Sequence, residues 1–244
     1  MGYTFNPWWG CMKVSEECTH CYALDVAHHY VKEPLWGPAA TTDRRLFGAK
    51  HWAEPLTWNK RAERERHRHS VFCASMADVY EDHPQLEPER QKLWALIEAT
   101  PWLNWLLLTK RPENILVMSP WKQGIWPDNV WIGTSAGTQK AANTRVPSLL
   151  DIPAAVRFIS CEPQLEYMDF TPWMKHLHWI ICGGESGQEH RPLDLDWARS
   201  VRDQCLPARV PYYFKQVGGR THSSGGRLLD GREWTEMPPE VPSH

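Results

Sequence analysis

Three cysteines lie close together near the start of the chain, in the stretch NPWWGCMKVSEECTHCYA. Cys11, Cys18 and Cys21 follow the spacing C-x(6)-C-x(2)-C. Thiolates at such short separations are typical ligands of zinc ions and of iron–sulfur clusters. The first question that the sequence raises is therefore which metal three thiols, rather than four, would hold.

Zinc and an iron–sulfur cluster place different demands on this loop. A structural zinc ion normally has four protein ligands, so a fourth would have to come from His20 within the loop or from the body, for example from Cys73 or His28. A [4Fe–4S] cluster usually takes four thiolates, and three leave one iron without a protein ligand. Catalytic metal sites use such an open position to bind substrate. The spacing favours a cluster with one ligand-accepting iron, and zinc is the alternative.

Composition and charge argue against several other classes of protein. The 244 residues suit one large α/β domain, and a formal net charge of −2 gives no global positive field for nucleic acid or an anionic membrane. No window approaches about eighteen consecutive apolar residues, and MGYTFNPWWG lacks the features of a secretory signal. We expect no membrane span and a cytoplasmic protein whose scattered remaining cysteines stay reduced.

The elements that must position the cysteines are short apolar runs separated by helix-like segments. Each run begins with β-branched or aromatic residues and ends in polar or Gly-rich residues, as a strand buried on both faces does before its loop. The runs cover 70–80, 102–112, 129–137, 155–166, 178–187 and 210–219, and a further short strand is expected around 3–5.

The segments between these runs are compatible with helices. Residues 88–100 carry apolar side chains on one side and Pro88 near the start, and 194–206 can be capped by Asp194. A third segment, 138–150, is also compatible with a helix, but Pro147 interrupts it.

Strands that alternate with helices predict a parallel sheet. We predict an α/β fold, a full or partial (β/α) barrel of about six or seven parallel strands, with an open doubly wound sheet as the alternative. The barrel domain would cover 1–218, with the cysteine loop at 10–22. The stretch LLDGREW predicts a hairpin around Asp230 and Gly231, within a C-terminal hairpin and tail at 219–244.

Polar residues gather where the predicted strands end, in CASMAD, LTKRP, GTS, SCEP, GGES and FKQ. In barrels and open parallel sheets alike, ligands bind at the carboxyl ends of the strands. These tips should converge on one polar pocket that can bind an anion. The candidate cofactor-binding residues are Ser75, Asp78, Lys110, Arg111, Ser135, Glu162, Gly183, Gly184, Glu185 and Lys215.

Each of these candidates also has a purely structural interpretation. Lys110 and Arg111 could form salt bridges on the barrel rim instead of contacting a carboxylate or phosphate, and Glu162 could be the partner of such a cation. The pair Gly183 and Gly184 could let the backbone approach a ligand, or could form a plain strand-to-helix turn.

The opening stretch and several later segments resemble a phage- and prophage-associated protein family of unknown function. The motif NPWxGCxKVSxxCxxCYA matches residues 6–23, and LTKRP, VWIGTS, GGESG with RP following, FKQ and GRLLDG also match. The cysteine loop itself looks like the cluster loop of the radical S-adenosylmethionine (SAM) superfamily. The usual spacing there is C-x(3)-C-x(2)-C with an aromatic residue before the third cysteine, where this chain has His20. The superfamily's Gly-Gly-Glu stretch follows the second strand, whereas GGES follows the sixth predicted strand here.

This resemblance implies that Cys11, Cys18 and Cys21 hold a [4Fe–4S] cluster whose free iron chelates the amino and carboxylate groups of SAM. Reduction by one electron would cleave SAM to methionine and a 5′-deoxyadenosyl radical, which abstracts hydrogen from the substrate. The implied partners are a one-electron donor protein of the flavodoxin or ferredoxin type and a small-molecule, nucleotide or nucleic-acid substrate.

Two other functions are compatible with the residues. In the first, the cysteines and one more ligand hold zinc or a cluster without radical chemistry, and the barrel top binds nucleic acid or a protein partner. In the second, the strand tips perform acid–base chemistry and the cysteines are incidental.

Overall fold

A computed structural model describes residues 2–121, 126–221 and 223–239. Within these residues the main sheet has seven strands, all parallel and paired in chain order, which curl into a half-barrel. The predicted partial (β/α) barrel is confirmed. The alternative, an open doubly wound sheet, is wrong because its strand order would reverse at a switch point. The strands are β1 (Tyr3–Thr4), β2 (His69–Cys73), β3 (Leu103–Thr109), β4 (Val130–Ser135), β5 (Val156–Cys161), β6 (Trp179–Gly183) and β7 (Tyr212–Gln216).

Helices connect the strands and cover the outside of the sheet. The two helices with capping signals form as predicted, and Asp194 accepts a hydrogen bond from the Asp196 backbone N–H at 2.9 Å. The third helix begins after Thr138 and continues through Pro147. The helices are α1 (Tyr22–Tyr30), α2 (Ala49–Trp52), α3 (Glu54–Glu65), α4 (Glu87–Glu98), α5 (Ile115–Met118), α6 (Gln139–Leu150) and α7 (Leu195–Ala208). Among the described residues, none of the helices combines the length and apolar character that a membrane crossing requires.

Both faces of the sheet are buried, which explains why its strands read as continuous apolar runs. One set of alternate strand positions forms a separate apolar cluster that includes Leu106, Trp131, Phe158, Trp179 and Tyr213. Leu108, on the same face, packs against this cluster. Successive strand residues point to opposite faces. Residues two positions further along each strand therefore lie on the same face, nearer the carboxyl end of the strand. Ser160 and Lys215 are examples.

The C-terminal segment completes the edge of the half-barrel. Leu228–Leu229 pairs with Arg232–Glu233, and Asp230 and Gly231 have the positive φ values that the predicted hairpin turn requires. Beyond this hairpin the chain runs antiparallel to β7, and the Phe214 N–H donates to the Trp234 carbonyl at 2.8 Å. The edge of β7 is thus covered by the chain itself. Residues 222 and 240–244 of the predicted hairpin and tail lie outside the described residues.

Candidate functional site

A cavity of about 370 Å³ opens at the carboxyl ends of the strands. Its lining brings together, from seven separate stretches of the chain, every site residue that the sequence predicted except Gly183. These residues are Cys11, Cys18, Cys21, Ser75, Asp78, Lys110, Arg111, Ser135, Glu162, Gly184, Glu185 and Lys215. The strand tips therefore converge on one pocket.

The cysteine loop, residues 10–22, forms part of the cavity wall. Trp8–Trp9 pairs with Arg45–Leu46 just before the loop. Gly10 then turns the chain with φ +116°, and a Cβ there would lie 2.4 Å from the Leu35 carbonyl oxygen, so only glycine fits. Cys18 ends a short 3-10 turn, and Cys21 is the N-cap of α1. These turns bring all three free thiols to the same cavity.

A buried ion pair at the tip of β3 fastens the start of the cysteine loop. The Arg111 Nη1 atom lies 2.7 Å from Asp78 Oδ2 and 3.8 Å from the Cys11 sulfur, while Nη2 donates to the Met12 carbonyl at 2.8 Å. Asp78 also accepts a hydrogen bond from the Thr109 hydroxyl at 2.7 Å. Arg111 and Asp78 thus use their charges to hold the loop, which agrees with the structural interpretation of Arg111 more closely than with a direct ligand contact.

A second buried pair holds the backbone N–H of the same residue, Met12. The Met12 N–H donates to Glu81 Oε1 at 2.8 Å, and Glu81 forms an ion pair with Arg44 in which both side chains are fully buried. Arg44 in turn donates to the carbonyls of Leu35 and Gly37. The loop is therefore tied to the segment between α1 and α2 as well as to the barrel.

The middle of the loop is anchored by Glu17, whose side chain is fully buried. Its Oε1 accepts from the Gly137 N–H at 3.1 Å and from Arg145 at 2.9 Å, and Arg145 also donates to the Ser135 carbonyl. Burial raises the pKa of Glu17, but Arg145, Ser15 and the Gly137 N–H outweigh it and leave the pKa below its ordinary value. The carboxylate is therefore ionised and joins the loop to the start of α6.

The Gly-Gly-Glu stretch supplies a further fastening. Glu185 receives hydrogen bonds from the Arg191 backbone N–H at 2.8 Å and from its guanidinium at 2.6 and 2.9 Å. Arg191 also donates to the Glu16 carbonyl at 3.2 Å. Burial raises the pKa of Glu185, but the bonds from Arg191 outweigh it and leave the pKa below its ordinary value. Glu185 thus holds the Arg191 guanidinium against the cysteine loop.

Glu162 and Lys215 form a pair at the tips of β5 and β7. The Lys215 ammonium lies 3.0 Å from Glu162 Oε2, and the attraction of this carboxylate raises the lysine's pKa. Glu162 Oε1 accepts from the Ser160 hydroxyl at 3.3 Å. The Gln216 amide donates to Glu162 Oε2 at 3.4 Å and to the Gly184 carbonyl at 2.9 Å. This cluster faces the cavity beside the loop fastenings.

Gly183 does not line the cavity, unlike its neighbour in the Gly-Gly pair. A Cβ at Gly183 would lie 3.0 Å from both the Gln216 amide nitrogen and Glu162 Oε2. A glycine there makes room for this cluster. Gly184 does line the cavity, but a Cβ there would lie 1.9 Å from the Val217 carbonyl oxygen, so it too is required by packing.

Ser75, at the tip of β2, is held by the opening stretch of the chain. Asn6 Nδ2 donates to the Ser75 hydroxyl oxygen at 3.2 Å, and Asn6 Oδ1 accepts from the Met76 N–H at 2.8 Å. The Tyr22 hydroxyl donates to the Ser75 carbonyl at 3.0 Å. Both ends of the cysteine-bearing segment are therefore attached to the β2 tip.

The thiols of the loop have different electrostatic surroundings. Burial, Asp78 and Glu81 raise the pKa of Cys11 to about 12, against the opposing effect of Arg111. Burial also raises the pKa of Cys18, but Lys110 and hydrogen bonds to the thiolate outweigh it and leave the pKa below its ordinary value. The Lys110 ammonium also helps to lower the pKa of Glu17, so its charge faces the middle of the cysteine loop. Lys110 is thus a cation placed to compensate thiolate charge.

The donor set fits a [4Fe–4S] cluster. Three thiols that line one cavity are the ligands such a cluster takes, with each thiolate on a separate iron. Thiolates are also zinc ligands, and a zinc ion would need a fourth. Of the zinc ligands considered from sequence, His20 lines the cavity, whereas Cys73 is buried outside it and His28 is exposed on α1.

Several residues that hold the cysteine loop were not anticipated from the sequence. Their partners lie far away along the chain, and they are Glu17, Glu81, Arg145 and Arg191. Arg191 had one detectable signal, because it is the arginine of the RP that follows GGESG.

A curled parallel half-barrel, with a cysteine loop fastened over a cavity at the strand ends, defines the chain as a partial (β/α)-barrel protein. The cavity lies where proteins of that fold bind their ligands. A family model described as "Protein of unknown function (DUF5131)" matches residues 1–238, and the chain belongs to this family. Neither the comparison with curated proteins nor that with solved structures found a match.

Proposed function

We propose that this protein is a radical SAM-type enzyme in which Cys11, Cys18 and Cys21 hold a [4Fe–4S] cluster. The observation that carries the proposal is that all three thiols open into one cavity, from a loop fixed by four ion pairs whose carboxylates are all buried. A loop that served only as a connection would not need so many buried charges, because each costs free energy to remove from water.

The charges around the loop support this proposal. Asp78, Glu17 and Glu185 are each paired with an arginine, so they add no net negative charge. Lys110, whose charge already favours the Cys18 thiolate, is then available to the thiolates and to an anionic group of a bound ligand. Three thiolates around a cluster of four irons leave one iron for SAM.

When bound and reduced by one electron, the cluster would supply the electron that cleaves SAM to methionine and a 5′-deoxyadenosyl radical. The chain's own residues keep the thiols in place, neutralise their charge through Lys110, and present Ser135, Glu162 and Lys215 to the ligands. A flavodoxin- or ferredoxin-type protein in the cytoplasm would supply the electron, and the substrate is a small molecule, a nucleotide or a nucleic acid.

Formation of 5′-deoxyadenosine tests this function. The protein is purified without oxygen, loaded with iron and sulfide, reduced and mixed with SAM. We expect 5′-deoxyadenosine and methionine from the unaltered chain and from a Cys205→Ala control, whose buried thiol lies outside the cavity, and neither product from Cys18→Ala. Absence of both products from a fully loaded sample, with several reductants, would contradict the proposal.

A further inference from the structure

The Glu162–Lys215 pair has hydrogen-bonding capacity that the protein does not use. Lys215 Nζ has three N–H donors, and its ion-pair partner among the described residues is Glu162. Glu162 Oε1 has two lone-pair directions, and within the part of the chain that the structure describes it accepts one hydrogen bond, from the Ser160 hydroxyl at 3.3 Å. A donor and an acceptor are therefore left side by side on residues that line the cavity.

We infer that this pair binds the edge of a planar ring in which an N–H lies next to a C=O, with the N–H donating to Glu162 and the C=O accepting from Lys215. Uracil, thymine, hypoxanthine and guanine carry this edge, whereas adenine does not. The inference rests on the proposed function, because it names the substrate class of the same cavity. It assigns Glu162 and Lys215 to the substrate and leaves Lys110 to the cysteine loop.

Stability does not account for the pair. The Lys215 side chain is 46% exposed, and an ion pair with an exposed partner contributes little to folding. The chain nevertheless keeps glycine at position 183, where a Cβ would lie 3.0 Å from Glu162 and from Gln216. Glycine within a strand costs stability relative to alanine, so the space for the pair is retained against that cost.

The cavity that contains the pair also has an apolar wall that suits a flat ring. Phe72 and Leu108 lie on the inward face of the sheet, are only partly buried, and line the cavity. Enzymes that act on a nucleobase read the hydrogen-bonding edge of the base and hold its faces between aromatic or apolar side chains. The cavity supplies both kinds of contact, from Glu162 and Lys215 and from Phe72 and Leu108.

Binding to the full chain without a cluster tests the inference separately from radical chemistry. Affinities for uridine, inosine, adenosine and N3-methyluridine are measured by calorimetry with the unaltered chain and with Cys18→Ala. N3-methyluridine is the matched ligand control, because a methyl group replaces only the N–H. We expect uridine or inosine to bind at least about tenfold more tightly than N3-methyluridine and adenosine, with or without Cys18.

Glu162→Leu removes the acceptor of the N–H and should abolish the preference for uridine over N3-methyluridine. Lys215→Met removes the donor to the C=O and should weaken uridine binding. Lys140→Met, on the exposed surface of α6, should leave both unchanged. Equal binding of uridine and N3-methyluridine, an unchanged preference in Glu162→Leu, or no binding of any nucleoside at millimolar concentration would overturn the inference. Binding of uridine monophosphate but not of uridine would also overturn it, because the pair would then recognise phosphate. Failure of the proposed function would appear elsewhere, as loss of cluster or of 5′-deoxyadenosine.

Discussion

Replacing Arg111 would show how strongly the cysteine loop depends on buried charge. Arg111 and Asp78 have side chains only 8% and 7% exposed, and Arg111 bridges Asp78 at 2.7 Å and the Met12 carbonyl at 2.8 Å. Arg111→Met would leave a buried carboxylate without its cation and a carbonyl without its donor. Breaking a buried pair in this way costs about 3–5 kcal/mol. Asp78 keeps its bond from the Thr109 hydroxyl, so we expect the lower end, about 3 kcal/mol.

Two further variants separate charge from geometry. Arg111→Lys keeps the charge but cannot reach both partners in the forked geometry, and the loss of one charged hydrogen bond should cost about 1.5–3 kcal/mol. Combining Arg111→Met with Asp78→Asn removes both charges and should cost less than the sum of the single changes, by at least about 1 kcal/mol.

The free energy of unfolding, from urea denaturation of the metal-free protein, gives these magnitudes, and hydrogen exchange at the Met12 amide reports on the loop itself. The reasoning predicts faster exchange in Arg111→Lys at a urea concentration where the fold is intact. It would be refuted if Arg111→Met changed the free energy of unfolding by less than about 0.5 kcal/mol, the range of ordinary surface substitutions.

Three other perturbations follow from the same structure. The folded-state pKa of Glu185 lies below its ordinary value of 4.5, so its ionised pair with Arg191 stabilises the protein above pH 4.5 and is lost as the pH falls through the folded-state pKa. Denaturation curves of Glu185→Gln should therefore differ from those of the unaltered chain at pH 7 and converge with them at low pH, and a pH-independent difference would contradict this. Gly183→Ala should leave the free energy of unfolding within about 1 kcal/mol of that of the unaltered chain, because alanine suits a strand better than glycine. It should nevertheless weaken uridine binding, because the new Cβ would lie 3.0 Å from the Gln216 amide nitrogen and the amide must move. Unchanged binding by calorimetry would count against this. Trp234→Ala removes a side chain only 8% exposed beside β7, and urea denaturation should show a loss of about 3 kcal/mol, whereas a loss below about 1 kcal/mol would mean that the tail does not stabilise the sheet edge.

The strands could be predicted from the sequence because their signal is local. Each apolar run ends in polar residues, and parallel strands buried on both faces need no more than that to be recognised. Pro147 shows the limit of local reasoning, because helix α6 continues through it. The curl of the sheet into a half-barrel depends on strand order, which no single run contains.

The site could be predicted in its location but not in its connections. Parallel strands place their carboxyl ends together, so residues as distant as Ser75 and Lys215 could be assigned to one pocket. The contacts of Arg145 with Glu17 and of Arg191 with Glu16 join residues 128 and 175 positions apart. Such pairs leave no periodic or local pattern in the sequence. For the same reason, Arg111 and Asp78 were predicted as cofactor-binding residues, whereas in the structure they hold the cysteine loop.

The metal content of protein purified without oxygen tests the central claim most directly. Iron, acid-labile sulfide and zinc are measured for the unaltered chain, for Cys18→Ala and for the Cys205→Ala control. The account predicts about four irons and four sulfides per chain, retained in Cys205→Ala and lost in Cys18→Ala. Zinc near one per chain without sulfide would contradict it, and would leave the cysteine loop as a zinc site without radical chemistry.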